Sequence, residues 1–208
     1  MALILSEEQK LLKDSATEFL AMNAPVEQFR DLRDNNYKAF DKSLWTKIVE
    51  MGWTALTIPE EFDGLEFGYI GLGQILEEMG KNLTKAPLFS SIVLGATALT
   101  HSKNQDLKKE WLPQLMEGTK RVALALDEHT YFDPTAIATT AKSTSNGYTL
   151  SGKKTMIIDG ASADAFIVVA NTEEGEVALF MVAADSKGIT LTTDVLLDAG
   201  TYATVTFD

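Results

Sequence analysis

Apolar residues return at helical spacing through the first half of the chain, and the second half breaks into short runs rich in Thr, Ile and Tyr. Ser6-Glu7-Glu8-Gln9 forms a capping box, in which the Ser hydroxyl accepts from a free amide at a helix start and Gln9 reaches back. Leu11, Leu12, Ala16, Phe19 and Leu20 then mark one face of a first helix, and Pro25 follows soon after its expected stop. Asp41 caps a second helix through Leu44, Trp45, Ile48 and Val49, with Gly52 at its end. The stretch from Trp53 to Gly68, broken by Pro59 and Gly64, reads as a loop. A third helix fits Ile70 to Met79, with Gly80 as terminator. A fourth, Leu88 to Thr100, is apolar nearly all round and belongs inside a bundle. Asn104 or Asp106 begins a short amphipathic piece through Trp111, and Pro113 opens a further turn with Leu115 and Met116.

Near Arg121 the grammar changes. Strands are expected at 122–126, 137–143, 148–151, 155–158, 165–170, 177–182, 189–193 and 202–207. Asn146-Gly147 and Glu174-Gly175 are hairpin signals, because such residues tolerate positive φ. Short strands at regular spacing suggest a sandwich or barrel. The reading is α+β: an N-terminal all-helical domain over residues 1–120, then an antiparallel β-barrel or sandwich domain over 121–208.

Composition narrows the chemistry. The 208 residues contain no cysteine, which excludes disulfides, thiolate metal sites and a thiol nucleophile. The net charge of −12 disfavours nucleic acid and repels anionic ligands at long range. Met1 to Leu5 is too short for a signal peptide, and no apolar run reaches the ~18 residues of a membrane span. A cytoplasmic protein without membrane attachment is expected. His101 and His129 are the two histidines, with no His-x-x-x-His or carboxylate–His cluster, so no transition-metal site is expected. No G-x-G-x-x-G, P-loop or G-x-S-x-G is present. The acidic pairs Glu60-Glu61 and Glu77-Glu78 read as solvated faces, and Trp45, Trp53 and Trp111 read as core.

Four blocks in order carry a resemblance. They are LSEEQKLLKDSATEFL (Leu5–Leu20), LWTKIVEMGWTALTIPEEFDGLEFG (Leu44–Gly68), KKEWLPQLMEGTKRVALALDE (Lys108–Glu128) and NGYTLSGKKTMIIDGASADAFIVVA (Asn146–Ala170). Together they resemble the N-terminal helical and middle β-domains of the acyl-CoA dehydrogenase family. The ALALDE…ATTA…DGxxAD pattern is similar to that of the second subunit of divergent bacterial members, which work beside another acyl-CoA dehydrogenase subunit. The resemblance implies FAD as cofactor, an acyl-CoA substrate, α,β-dehydrogenation of the thioester in fatty acid metabolism, electron-transfer flavoprotein as acceptor, and a homo- or hetero-oligomer. In that family the catalytic base comes from a C-terminal helical domain, expected to begin after Phe207-Asp208. No catalytic residue is therefore carried onto this sequence.

The flavin-contact positions depart from the family pattern. Ser/Thr-Glu-Pro is usual after the first strand. Here Leu126 is followed by Asp127 at the hydroxyl position, then Glu128, then His129 at the proline. The glycine-rich loop that comes next in the family is replaced by Thr130-Tyr131-Phe132-Asp133, in which only Asp133 keeps its type. The usual Trp-Ile-Thr is Met156-Ile157-Ile158. Met156 can still pack on an aromatic edge, whereas Ile158 cannot donate a hydrogen bond. The resemblance thus assigns Leu126, Asp127, Met156 and Ile158 to the cofactor, and Phe89 and Asp133 to the substrate. Flavin-free structural subunit, acyl-CoA-binding module and truncated product stay open as alternatives.

Overall fold

The computed structural model describes residues 4–35, 39–145, 147–196, 198 and 200–208. They fall into two compact units, Met1–Thr119 and Lys120–Asp208. The expectations placed on Met1 and on Asn146 lie outside the described residues.

The first unit is helical. Helix α1 (Glu7–Asn23) starts on the expected capping box: Gln9 N donates to Ser6 Oγ at 3.2 Å, and Ser6 N to Gln9 Oε1 at 3.0 Å. Helix α2 (Val26–Asp34) is missed by periodicity, because Leu32 is its buried residue and the rest is mostly charged. Pro25 therefore opens a helix, where its missing N–H costs nothing. Helix α3 (Lys42–Glu50) is capped by Asp41, whose carboxylate accepts from Leu44 N at 2.8 Å. The next segment holds two 3₁₀ turns, Trp53–Ala55 and Glu60–Phe62. Helix α4 (Tyr69–Lys81) runs one residue past the expected terminator Gly80, with Asn82 as its C-cap. The stretch Phe89–Ala96 winds as a π-helix directly into α5 (Thr97–His101). Helix α6 (Gln105–Met116) is one element with Pro113 inside it, so the proline does not start a separate turn.

The core of this unit holds Leu20, Ile48, Trp53, Ile58, Leu72, Ile75, Leu88, Ile92, Leu112 and Leu115, all fully buried. Burial of such side chains contributes roughly 1.5–3 kcal/mol each. Phe19 meets Trp53 edge-on at 5.0 Å. Trp45 Nε1 donates to Gly118 O at 2.9 Å, and Thr54 Oγ1 to Met116 O at 2.6 Å, which ties the end of α6 to the α3 region. Glu78 departs from its expected solvated role. Its side chain is 3% exposed and bonds Lys81 at 2.6 Å, with Lys13 of α1 at 3.8 Å.

The second unit is a sheet of seven strands among the described residues: β1 (Val122–Ala125), β2 (Thr140–Thr144), β3 (Gly147–Ile158), β4 (Ala165–Thr172), β5 (Val177–Ala183), β6 (Ile189–Val195) and β7 (Thr201–Phe207). The runs at 148–151 and 155–158 are thus one strand. The order is β1-β4-β2-β3-β7-β6, with β5 also pairing with β4. The sheet is mixed, which corrects the expected antiparallel arrangement: β1 and β2 both run parallel to β4. Residue alternation reports which face is buried and says nothing of strand direction. Six consecutive residues of β4, Ala165–Ala170, are buried, as expected of a strand covered on both faces. Phe166, Val168, Ile157, Ala203, Val205 and Phe207 form the core of this unit. Of the two hairpin signals, Glu174-Gly175 joins the antiparallel pair β4–β5, with Gly175 at φ +82°.

Strand β3 is irregular at two places. At Gly152 it changes partner, from β2 (Thr140↔Ser151) to β7 (Gly152↔Phe207). Gly152 has φ +149°, and a Cβ there would stand 2.6 Å from Thr139 Oγ1. Only glycine suits this corner. Farther on, the register with β7 shifts between Lys154 and Ile157. Met156 in this bulge has φ +53°, an uncommon conformation for a residue with a side chain.

Candidate functional site

The chain leaves β1 at Leu126 and runs alongside the bulge of β3. Alternation turns Lys154 inward, where it is fully buried. Its ammonium donates to Leu126 O at 2.9 Å and to Glu128 Oε1 at 2.7 Å. The side chains of this ion pair are 0% and 6% exposed. Glu128 also accepts from Ala138 N at 2.7 Å and Thr139 N at 2.9 Å, so its two oxygens bridge to the start of β2. Thr155 adds two bonds, from its amide to Asp127 O at 2.7 Å and from its hydroxyl to His129 O at 3.2 Å.

The electrostatics come from burial and pairing. Burial pushes the Glu128 carboxyl up, but the bonds from Lys154 and from the Thr139 and Ala138 groups outweigh it and bring it down to about 2. Burial pushes the Lys154 ammonium below its ordinary value, against the opposing pull of Glu128 and Asp127. We read the pair as ionised, because each charge is met at hydrogen-bond distance. Asp127 is different. Its Oδ1 is shut off from solvent and has no hydrogen-bond partner. A buried acceptor left without a donor is costly, so a group bearing N–H or O–H fits here.

The structure therefore brings together Leu126, Asp127 and Met156 around Lys154 and Thr155. Ile158 lies beyond the bulge, opposite Tyr202, and is half-buried. Asp133 sits apart on its own loop, where its carboxylate accepts from Thr135 Oγ1 at 2.7 Å and Thr135 N at 3.2 Å. Between them, His129 stacks on Tyr131 with ring centres 5.1 Å apart, and Phe132 is exposed. Phe89 belongs to the helical unit, at the start of the π-helical stretch, and is 40% exposed. A concavity of about 480 Å³ in that unit is lined by Asp31, Leu32, Phe40 and Asp41, and by none of the residues assigned to cofactor or substrate. The Lys154–Glu128 pair escapes sequence reading, because Lys153-Lys154 looks like a polar strand surface. The available signal is strand parity, which sets Lys154 on the same face as Leu150, itself packed on the core. Among the described residues no group of three or more His, Asp or Glu side chains could hold a metal ion, and no helix is long and apolar enough to cross a membrane.

Comparison with known proteins gives these residues a setting. Residues 6–119 match the acyl-CoA dehydrogenase N-terminal domain, and residues 124–206 match the acyl-CoA dehydrogenase middle domain. Acyl-CoA dehydrogenase FadE27 of Mycobacterium tuberculosis is 33% identical over 159 residues, covering 76% of this chain and 41% of that protein. The mitochondrial isovaleryl-CoA dehydrogenase of Solanum tuberosum is 29% identical over 193 residues, covering 91% of this chain and 44% of that protein. The solved ChsE4-ChsE5 complex from Mycobacterium tuberculosis contains a chain that superposes with a TM-score of 0.88 at 27% identity, covering 100% of this chain and 56% of that one. The chain spans less than half the length of the two curated relatives. With both domain families matched in order along nearly all of its length, the chain belongs to the acyl-CoA dehydrogenase family.

Proposed function

We propose that this chain forms the flavin-facing and acyl-facing parts of an FAD-dependent acyl-CoA dehydrogenase, working in an assembly with another subunit of the same family. The reaction is α,β-dehydrogenation of a CoA thioester: a proton leaves the α-carbon, a hydride leaves the β-carbon, and a double bond forms between them. Bound FAD would supply the two-electron acceptor, and electron-transfer flavoprotein would take the electrons onward. The observation that carries the reading is the unpartnered Oδ1 of Asp127, buried beside the Met156 bulge in a domain of this family. An isoalloxazine has an imide N–H, and its ribityl chain has hydroxyls, and each suits such an acceptor. The Met156 thioether suits an aromatic edge. No catalytic base is assigned among the described residues. A mixed assembly is supported by the ChsE4-ChsE5 relative, which is itself a complex.

The test is a visible absorbance spectrum of the purified chain after incubation with FAD and removal of free cofactor. An oxidised-flavin spectrum near one FAD per chain is expected, and a colourless chain overturns the reading. A second reading, a flavin-free subunit of a mixed complex, is favoured by Ile158, which has no side-chain donor where the family threonine has one. That reading expects the colourless chain, with flavin held by the other subunit.

A further inference from the structure

The segment from Leu126 to His129 belongs to no strand, yet every one of its residues is tied down. Lys154 holds the carbonyl of Leu126, Thr155 holds those of Asp127 and His129, and Glu128 is held by Lys154 from one side and by the amides of Ala138 and Thr139 from the other. One buried ion pair thus joins three pieces of chain: the exit from β1, the start of β2, and β3 at the edge of the Met156 bulge.

Stability alone gives no reason for a buried ion pair here. Replacing such a pair by apolar side chains of similar volume is often neutral or stabilising. An apolar pair cannot, however, bond a carbonyl and a carboxylate in fixed directions. What the arrangement achieves is a fixed main chain at Asp127, whose free carboxylate oxygen already stands shielded from water.

We infer that Lys154 is a positioning residue: through Leu126 and Glu128 it presets the 126–129 main chain, so that only the Asp127 side chain has to turn to meet a donor on the bound cofactor. This rests on the flavin reading of the site. Presetting a loop removes an ordering cost from binding, so its loss appears as weaker cofactor binding in a chain that still folds.

The experiment compares the parent chain with the double variant Lys154→Met/Glu128→Gln, which removes both charges and strands neither. Three quantities are measured: the FAD Kd by quenching of flavin fluorescence, the melting temperature without cofactor, and amide hydrogen exchange at Thr155, Ala138 and Thr139. The expected result is a chain that still unfolds cooperatively, with a melting temperature lowered by several degrees because Leu126 O loses its donor and one of the two amides its acceptor, much faster exchange at those amides, and a Kd raised by about tenfold or more, the size expected when a preset loop must be ordered on binding. A Kd within about twofold of the parent in the folded variant overturns the positioning role. Glu128→Asp serves if the double variant does not fold. It keeps the charge, but its shorter side chain cannot span Lys154 and the two amides, so an unchanged Kd there overturns the role equally. A parent that binds no FAD removes the flavin reading itself, whereas a parent and variants that bind alike remove only the positioning.

Discussion

Replacing Glu128 by Gln removes one charge from a pair that the fold has buried. The Glu128 carboxyl is brought from 4.5 to about 2 in the folded chain. At ~1.4 kcal/mol per pH unit of difference, this corresponds to about 3 kcal/mol of stability near neutral pH. The side chain is 6% exposed, so solvent screening takes little from that figure. The figure also agrees with the ~3–5 kcal/mol seen when one partner of a buried pair is removed. The sign is fixed by the direction of the shift. A depressed carboxyl contributes stability above its unfolded value, and that contribution is lost as pH falls from 4.5 through about 2. Glu128→Gln should therefore cost about 3 kcal/mol near pH 7 and progressively less toward about pH 3. Tryptophan fluorescence cannot report this, since Trp45, Trp53 and Trp111 all belong to the helical unit. Native-state hydrogen exchange at the core amides of Phe166 and Val168, referenced to intrinsic rates at each pH, can. A loss below about 1 kcal/mol near neutral pH would refute the reasoning, as would a difference that stays constant on acidification.

Three other outcomes come from local geometry. Gly152→Ala places a Cβ against Thr139 at a φ suited only to glycine, and should destabilise the β unit by about 3 kcal/mol in the same exchange measurement. Ser6→Ala removes one half of the α1 capping box and should cost about 1 kcal/mol in urea unfolding followed by tryptophan fluorescence, with Ser6→Asn nearly neutral. Trp45→Phe keeps most of the ring volume but leaves Gly118 O without its donor, and should lower the stability of the helical unit by about 1–2 kcal/mol, measured by urea unfolding with circular dichroism.

Local chemistry was well written in the sequence. Ser6 and Asp41 announce helix starts because their side chains solve a local problem of free amides, and the structure shows both bonds. Trp45, Trp53 and Trp111 are buried as their spacing implied. What failed depends on partners distant in sequence. Helix α2 has too few buried residues to show a period, and Pro113, expected to open a further turn, lies inside α6. Glu78 reads as solvated beside Glu77, but Lys13 arrives from another helix. Strand direction was invisible, and so was the mixed sheet. The candidate site was legible in part. Resemblance singles out Asp127 and Met156, but the Lys154–Glu128 pair beside them depends on three segments meeting, which no local pattern records.

The two-sided burial of β4 also dictates an order of assembly. β1 finds no ladder partner nearby in the chain: Val122 pairs with Ala165, and both β1 and the start of β2 wait for the same strand. During synthesis the helices up to Met116 have emerged in full while β1 still lacks its neighbour. The hairpin of β2 and β3 needs only contacts close in sequence, and contacts of that kind form early. β4 must then enter between β1 and the β2–β3 hairpin, and its arrival joins them into one sheet, to which β5, β6 and β7 are added as they follow in the chain. A nascent chain halted before Ala165 would thus carry apolar β1 with unsatisfied amides, a surface that invites chaperones or mispairing.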